Sequence, residues 1–401
     1  MKDNMESEDD NAMPLDLLIV SSACFTSINR NIYKLFAQKG YSVAIIVPRM
    51  LEFGSVKKSA DPPSKDDPLI IYLNLRGSNP RIYQYQDLIE TFETKRPKRI
   101  LLDTEPVSLI ALKIGRWCQA NHTTFYCFTY ENFSLGIVDT YKRLGYKGLP
   151  MAFIKRTLLF ISRKVVKGLF TINDEGTAIY KSESFKNIVK VPLGFDPAIF
   201  HIDDEVRAKV RKTHSINSTA IAFFGRVCHE KGVHILVAAL SKLMQYDWVL
   251  IIDEFSVYKN EYNHTLQGLL EETGILDRVI FINPSHLEIA GYMNAVDLVV
   301  IPSISTPKWI EQYGRVAPES MACGKIVIAS DSGALPMLLN GHGIVFEEGN
   351  VQALSKILEE FLNTGPGSNE NFVKKDISQY AHKNLSIYTQ YQIMADQFDS
   401  D

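Results

Sequence analysis

The chain has 401 residues, 46% hydrophobic and 22% charged, values that exclude a largely disordered or collagen-like polymer, and its length favours two domains over one oversized core. With 43 Lys and Arg against 46 Asp and Glu, the formal charge is −3 and the pI about 6.3, so no broad attraction for nucleic acid is expected and any anion must be met by local groups. The five cysteines Cys24, Cys118, Cys127, Cys228 and Cys323 are scattered and never in C-x-x-C spacing, which argues against a disulfide framework or zinc site and for core thiols of a reducing compartment.

Residues 1–13 carry one Lys against five acids and no apolar stretch. They are expected to form a disordered acidic tail rather than a secretory leader. Apolar runs of strand length then alternate with helix-period segments, the mark of βαβ units and a parallel sheet. Leu15–Ser21 reads as a strand, Asn29–Lys39 as a helix and Tyr41–Pro48 as a second strand. The stretch 52–67, with Pro62-Pro63 and mixed charges, reads as a long loop of the functional or mobile kind, a candidate lid. Strands follow at Leu69–Leu73 and Arg99–Asp103, a helix at Val107–Ala120, and strands at Thr124–Thr129, Gly168–Asn173 and Asn187–Val191.

At 191–200 (VPLGFDPAIF) two prolines and a glycine interrupt all periodicity, and the domain boundary is placed there. A polar helix near Asp203 opens the second half. Strands are expected at Thr219–Phe224, Trp248–Ile252, Val279–Ile282, Leu298–Ile301, Ile326–Ala329 and Gly343–Phe346. Helices fall at Gly232–Met244, His286–Asn294, Val316–Cys323, Ala334–Leu339 and Val351–Leu362, and a last helical stretch at Asp376–Phe398 follows the Gly365-Pro366-Gly367 turn. Domain bounds are therefore expected at 14–191, with a linker at 192–200, at 201–375, and a terminal helix at 376–401. Parallel α/β sheets bind ligands beyond the carboxyl ends of their strands, so the chemistry is expected in the loops that follow strands.

Three such loops stand out. In F-F-G-R-V-C-H-E-K-G (223–232), Gly225 permits a tight turn, and Arg226 and Lys231 bring positive charge to a helix start, a setting suited to a diphosphate. In E-Q-Y-G-R-V-A-P-E (311–319), Gly314 and Pro318 break the helix, which places Glu311 in a loop and Glu319 in the first turns of a helix. Glu319 suits the vicinal diol of a ribose, and the amides of 314–317 suit a phosphate. In S-D-S-G-A-L-P (330–336), Gly333 permits close backbone approach at a further helix start, beside Ala334. Each loop also has an ordinary reading, as solvated cations, a helix-dipole partner with a surface acid, or a capped strand-to-helix turn.

Taken in order, F-F-G-R-x-x-x-x-K-G, I-P-S, W-x-E-Q-Y-G-R-V-x-P-E-S-M-A-C-G, S-D-S-G-A-L-P and G-x-V-F resemble the retaining GT-B glycosyltransferases of family 4 over nearly all of 190–362. The resemblance implies two Rossmann-like α/β domains whose parallel sheets face across a cleft. It implies a sugar moved from a nucleotide-diphosphate donor, UDP- or GDP-linked, to a glycan or lipid-linked acceptor with retention of configuration. Arg226 and Lys231 would meet the diphosphate and, with Glu311 at the donor sugar, form the catalytic set; Glu319 would hold the ribose. Gly225, Tyr313, Gly314, Arg315, Val316, Gly333 and Ala334 would complete the donor pocket. Three stretches depart from the pattern. Ile252-Asp253-Glu254-Phe255 stands where a Gly-Asp-Gly-like turn is common, Ser21-Ser22-Ala23-Cys24 where a Gly-rich loop is common, and Thr129-Tyr130-Glu131-Asn132-Phe133 lacks the frequent histidine. Ser21, Ser22, Glu131 and Asn132 become the acceptor-side candidates.

The one Asp-x-Asp, Asp399-Ser-Asp401, is terminal, so no metal or other cofactor is expected. No apolar run reaches the ~18 residues of a membrane span, and a cytoplasmic protein is expected, with Tyr146–Phe170 able to touch the inner face of a membrane. Two other readings of the architecture stay open: a non-catalytic nucleotide-sugar-binding protein and a sugar-nucleotide epimerase. A nicotinamide dehydrogenase is disfavoured, since SSACFTS lacks G-x-G-x-x-G.

Overall fold

A computed structural model describes residues 14–53, 56–77, 79–255, 260–364 and 370–400. The acidic tail at 1–13 and the Gly365-Pro366-Gly367 turn lie outside the described residues. The chain divides into two compact units, one reaching Ile172 and including Gly176–Val191 and the residues from Ile393, the other made of Asn173–Glu175 and Pro192–Gln392.

The first unit is built on seven parallel strands, β1 (Leu17–Ser21), β2 (Val43–Pro48), β3 (Leu69–Leu73), β4 (Arg99–Asp103), β5 (Thr124–Thr129), β6 (Gly168–Thr171) and β7 (Ile188–Lys190), in the order β7-β6-β5-β4-β1-β2-β3. Every residue of β1 and β2 is buried, which is why both read as unbroken apolar runs: a parallel sheet is covered on both faces. The second unit repeats the plan with β8 (Thr219–Phe223), β9 (Trp248–Asp253), β10 (Val279–Ile282), β11 (Leu298–Ile301), β12 (Ile326–Ser330) and β13 (Ile344–Phe346), ordered β10-β9-β8-β11-β12-β13. Both are Rossmann-like, as the GT-B fold requires. In each sheet the strand order reverses once, between β1 and β4 in the first and between β8 and β11 in the second. The loops leaving two such strands part there and open a crevice.

Several segments differ from the sequence reading. The stretch 52–67 is not a free loop. Met50–Phe53 pairs antiparallel with Val56–Ser59, and the residues beyond are tied to Arg30. That guanidinium is fully buried; it donates to the carbonyls of Cys24, Asp61 and Pro62 at 2.8, 2.8 and 3.1 Å, and to Asp67 Oδ2 at 3.0 Å. Asp67 is further held by Lys34 at 3.2 Å. The terminal helix is two helices, Glu370–Leu385 and Ile387–Asp399. Phe195 inserts at the break, its amide donating to the Leu385 carbonyl at 3.3 Å and its carbonyl accepting from the Ile387 amide at 2.9 Å. Gly194 is obligatory beside it, since a Cβ there would fall 2.4 Å from Ile387 Cα. The helices Leu88–Lys95, Asp174–Ser182 and Glu261–Glu272 also stand where no element was expected.

The end of Ile387–Asp399 belongs to the first unit, where Phe398 is fully buried with its ring 4.9 Å from Tyr126, 5.6 Å from Phe170 and 5.7 Å from Phe36. No helix among the described residues is long and apolar enough to cross a membrane.

Because Arg30 pairs with Asp67 and donates to buried loop carbonyls, Arg30→Ala is expected to lower stability by about 3 kcal/mol, the cost of buried acceptors that lose their donor while Lys34 still faces Asp67. Urea denaturation would measure it, and a loss under about 1 kcal/mol would show that water replaces the guanidinium.

Candidate functional site

The crevice of the second sheet is made by the loops that follow β8 and β11. The β8 strand ends at Phe223, and Gly225 then turns with φ of 124°. The short helix His229–Lys231 ends at Gly232, whose φ is 66°. A Cβ on Gly232 would come 1.8 Å from the Pro302 carbonyl oxygen, so only glycine lets these two loops touch. The Ile304 amide donates to the Glu230 carbonyl at 2.8 Å and locks the approach.

That contact brings Lys231 to Glu311. Its ammonium lies 2.6 Å from Glu311 Oε2 and 5.1 Å from the ring centroid of Trp309. The same carboxylate oxygen accepts from Ser303 Oγ at 3.0 Å. Glu311 is buried, and its main chain is held too, its carbonyl accepting from the Ala334 amide at 3.1 Å. Gly333 makes this possible, since a Cβ there would lie 2.1 Å from the Glu311 oxygen. The S-D-S-G-A-L-P turn therefore acts on Glu311 directly: the Ala334 amide, expected to face the donor, is spent on positioning Glu311.

Arg226 is exposed and makes no hydrogen bond or ion pair with the described residues. Its charge stands free at the mouth of the same loop. Tyr313 is buried, Gly314 has φ of 81°, and the helix Val316–Ala322 starts directly after Arg315. The Ala317 amide donates to the Gly314 carbonyl at 2.9 Å, which removes it from the set expected to meet phosphate. Glu319 is buried in the first turns of that helix, with Arg315 Nε 3.8 Å from its Oε1. Burial pushes its carboxyl up to about 7, against the pull of Arg315.

The departure at 252–255 has a local cause. Asp253 Oδ2 accepts from the Gly225 amide at 3.1 Å and so fixes the turn that carries Arg226. Burial raises the Asp253 carboxyl above the usual range. The bulk of Phe255 is folded inward, its ring 5.8 Å from Phe281, rather than into the space beyond the strands.

In the first unit the expected residues divide. Ser21 is buried, donates to Asp103 Oδ2 at 2.5 Å and accepts from the Cys24 amide at 3.0 Å. Tyr130 donates to the other oxygen of Asp103 at 2.7 Å. Ser21 thus fastens the β1 and β4 loops together, while Ser22 and Asn132 are part-exposed beside them. Glu131 is buried and paired, 2.6 Å from Arg81 and 3.7 Å from Lys155. Beside it Glu105 accepts from Thr129 Oγ1 and from Tyr180 at 3.0 Å, and burial raises its carboxyl. Burial lowers the Lys155 ammonium despite its anionic neighbour.

Sequence reasoning did not assign roles to Ser303, Trp309, Asp253 or the Asp103–Glu105 pair. Ser303 and Trp309 stand inside the motifs I-P-S and W-x-E-Q, so their positions were visible and their contacts were not.

Residues 206–379 match the family described as glycosyl transferases group 1. A D-inositol 3-phosphate glycosyltransferase of Mycobacterium sp. (strain JLS) is 30% identical over 178 residues, 44% of this chain and 39% of that protein. Its counterpart in Mycobacteroides abscessus is 34% identical over 145 residues, 36% and 31% of the two chains. The chain thus spans about two fifths or less of the length of these curated relatives. In fold, a glycosyltransferase from Rickettsia africae superposes with a TM-score of 0.72 at 15% identity, over 96% of this chain and 98% of that one. Anabaena HepE in complex with UDP superposes with a TM-score of 0.72 at 18% identity, over 97% and 100%. Residues 206–379 match the glycosyl transferases group 1, and the chain has the GT-B fold with family-4-like motifs.

Proposed function

We propose that this chain is a glycosyltransferase that takes a sugar from a nucleotide-diphosphate donor and passes it to a glycan or lipid-linked hydroxyl. The observation that carries the reading is the Lys231–Glu311 pair at the switch point of the second sheet, with the exposed Arg226 guanidinium, unpaired among the described residues, on the same loop. Breaking the bond between the sugar C1 and the diphosphate oxygen builds negative charge on the leaving group and positive charge on the ring. Arg226 and Lys231 answer the first, and Glu311 answers the second; both act as preorganised charges. In this reading the two cations serve the diphosphate in place of a metal. The likeness to family 4 supports retention: the acceptor oxygen bonds to C1 on the face the diphosphate leaves, and its proton passes to the departing phosphate oxygen.

The donor base is proposed to be uracil or guanine. Anabaena HepE, similar in fold, was solved with UDP and with UDP-glucose. Gly225, Tyr313, Gly314, Arg315, Val316 and Gly333 are proposed to shape the donor pocket, and Glu319 to hold the ribose. Ser22 and Asn132, with the acids behind them, are proposed for the acceptor side. A cytoplasmic location belongs to the same proposal.

Replacing either Glu311 or Lys231 by Ala is expected to lower turnover at least ~100-fold, the size of a lost preorganised charge. Near-normal rates, measured as donor consumed with acceptor present, would remove both residues from the reaction. Product analysis with the acceptor left out separates transfer from epimerisation.

In a thermal-shift panel of UDP-, GDP- and ADP-sugars, one base should stand out, with about 2.7 kcal/mol of stabilisation at ~100 times the dissociation constant. A flat panel at millimolar ligand would sink the donor assignment.

Glu319 adds a pH dependence. Ribose hydroxyls donate to the carboxylate, so donor affinity should rise with pH through about 7 and then level. Its folded-state ionisation lies above the unfolded value of 4.5, so its contribution to the unliganded fold is full below 4.5 and lost as pH rises through about 7. In Glu319→Gln both dependences should flatten, which isothermal titration and urea denaturation at two pH values would read.

A further inference from the structure

The helices Ile137–Leu144 and Leu149–Val165, joined by the short turn Gly145–Gly148, pack together on the first unit. Leu149–Val165 turns Ala152, Leu159, Ser162 and Val165 inward. A helix that served only this core would be polar on its other side. Here the outward stripe holds Phe153 and Phe160, seven residues apart and 59% and 52% exposed. Tyr146 is 78% exposed, and Val138, Met151 and Ile154 are each more than half exposed. Such a concentration of exposed apolar side chains marks a surface that something covers.

Charge says what covers it. Residues 134–167 carry eight Lys and Arg against one acid, Asp139, in a chain whose net charge is −3; two of the eight, Lys155 and Arg156, are paired with Glu131 and Glu183 outside the segment. Asp139 is itself engaged by Ser134 at 2.6 Å. Lys142, Lys147, Arg163 and Lys164 are exposed around the aromatic stripe or near it. Arg163 and Lys164 lie 4.8 and 4.3 Å from the centroid of Phe160. A second copy of the chain, meeting this surface about a two-fold axis, would set the cations against themselves. A partner both apolar in depth and anionic at its surface fits instead, with rings entering the acyl boundary and long cationic side chains reaching the phosphates.

We propose that the face formed by 137–165 docks on an anionic phospholipid bilayer as a peripheral surface, whether or not the chain transfers a sugar. The test floats the full chain with vesicles of phosphatidylcholine alone and of phosphatidylcholine with phosphatidylglycerol. Flotation with the anionic vesicles, released by salt, is expected. Phe153→Ser combined with Phe160→Ser should weaken the partition about tenfold or more, as loss of two buried rings implies. Lys147→Glu combined with Lys164→Glu should remove most of the salt-dependent part, at about fivefold per cation lost. All four positions are exposed, and unchanged melting temperatures would show the variants folded. The proposal is overturned if anionic vesicles fail to float the chain at low salt, or if both variants float as well as the parent. It is equally overturned if sedimentation velocity shows a dimer that the double serine variant makes monomeric.

Discussion

The close approach of the loops after β8 and β11 is the constraint on which the second unit depends. Gly232 gives up its side chain to the Pro302 carbonyl, and Gly333 gives up its own to Glu311. The Lys231 ammonium and the Glu311 carboxylate then meet at 2.6 Å, with Ser303 filling a further lone pair of the same oxygen. A pair this sheltered adds little net stability, because desolvation offsets most of its attraction, yet removing either partner leaves a charge stranded. Its value is positional: two groups of opposite sign are fixed side by side, as the proposed transfer from a sugar diphosphate requires.

The same logic recurs in the first unit, away from any proposed donor chemistry. Arg30 ties two runs of chain together through the carbonyls of Cys24 and Asp61 and pairs with Asp67. Glu131 sits between Arg81 and Lys155, and Asp103 between Ser21 and Tyr130. Polar groups at the carboxyl ends of both sheets are thus mostly satisfied by their neighbours. Arg226 stands out against that background, as an exposed cation with no partner among the described residues. The surface at 137–165 stands out for the opposite reason, since Val138, Tyr146, Met151, Phe153, Ile154 and Phe160 are left exposed by the described residues.

Departures from the family pattern proved informative where their neighbours are known. Asp253, in the stretch where a Gly-Asp-Gly-like turn is common, holds the Gly225 amide and so sets the turn that carries Arg226. Ser21, in a loop where glycine is common, fastens β1 to β4 through Asp103. In both places a side chain ties one loop to its neighbour.

The parallel sheets were legible from the order of residues, because short runs such as LLIVS and VAIIVP, apolar without alternation as strands covered on both faces are, recur between helix-period segments. Arg226, Lys231, Glu311 and Glu319 were legible as well, since the glycines and prolines around them announce turns whatever lies nearby. What the chain could not show locally were the partners it meets from far along its length. Phe195 splits the last helix at Ser386, although nothing in 376–398 signals a break. Arg30 looks like a solvated cation near a helix start and is buried instead, by carbonyls of 61 and 62. Ala334 reads as an open helix-start amide, but it is occupied by the Glu311 carbonyl. Local periodicity and turn chemistry write the elements into the sequence. Which hydrogen bonds are already taken, and which charge is left free, is decided only when distant loops are brought within 3 Å or so of each other.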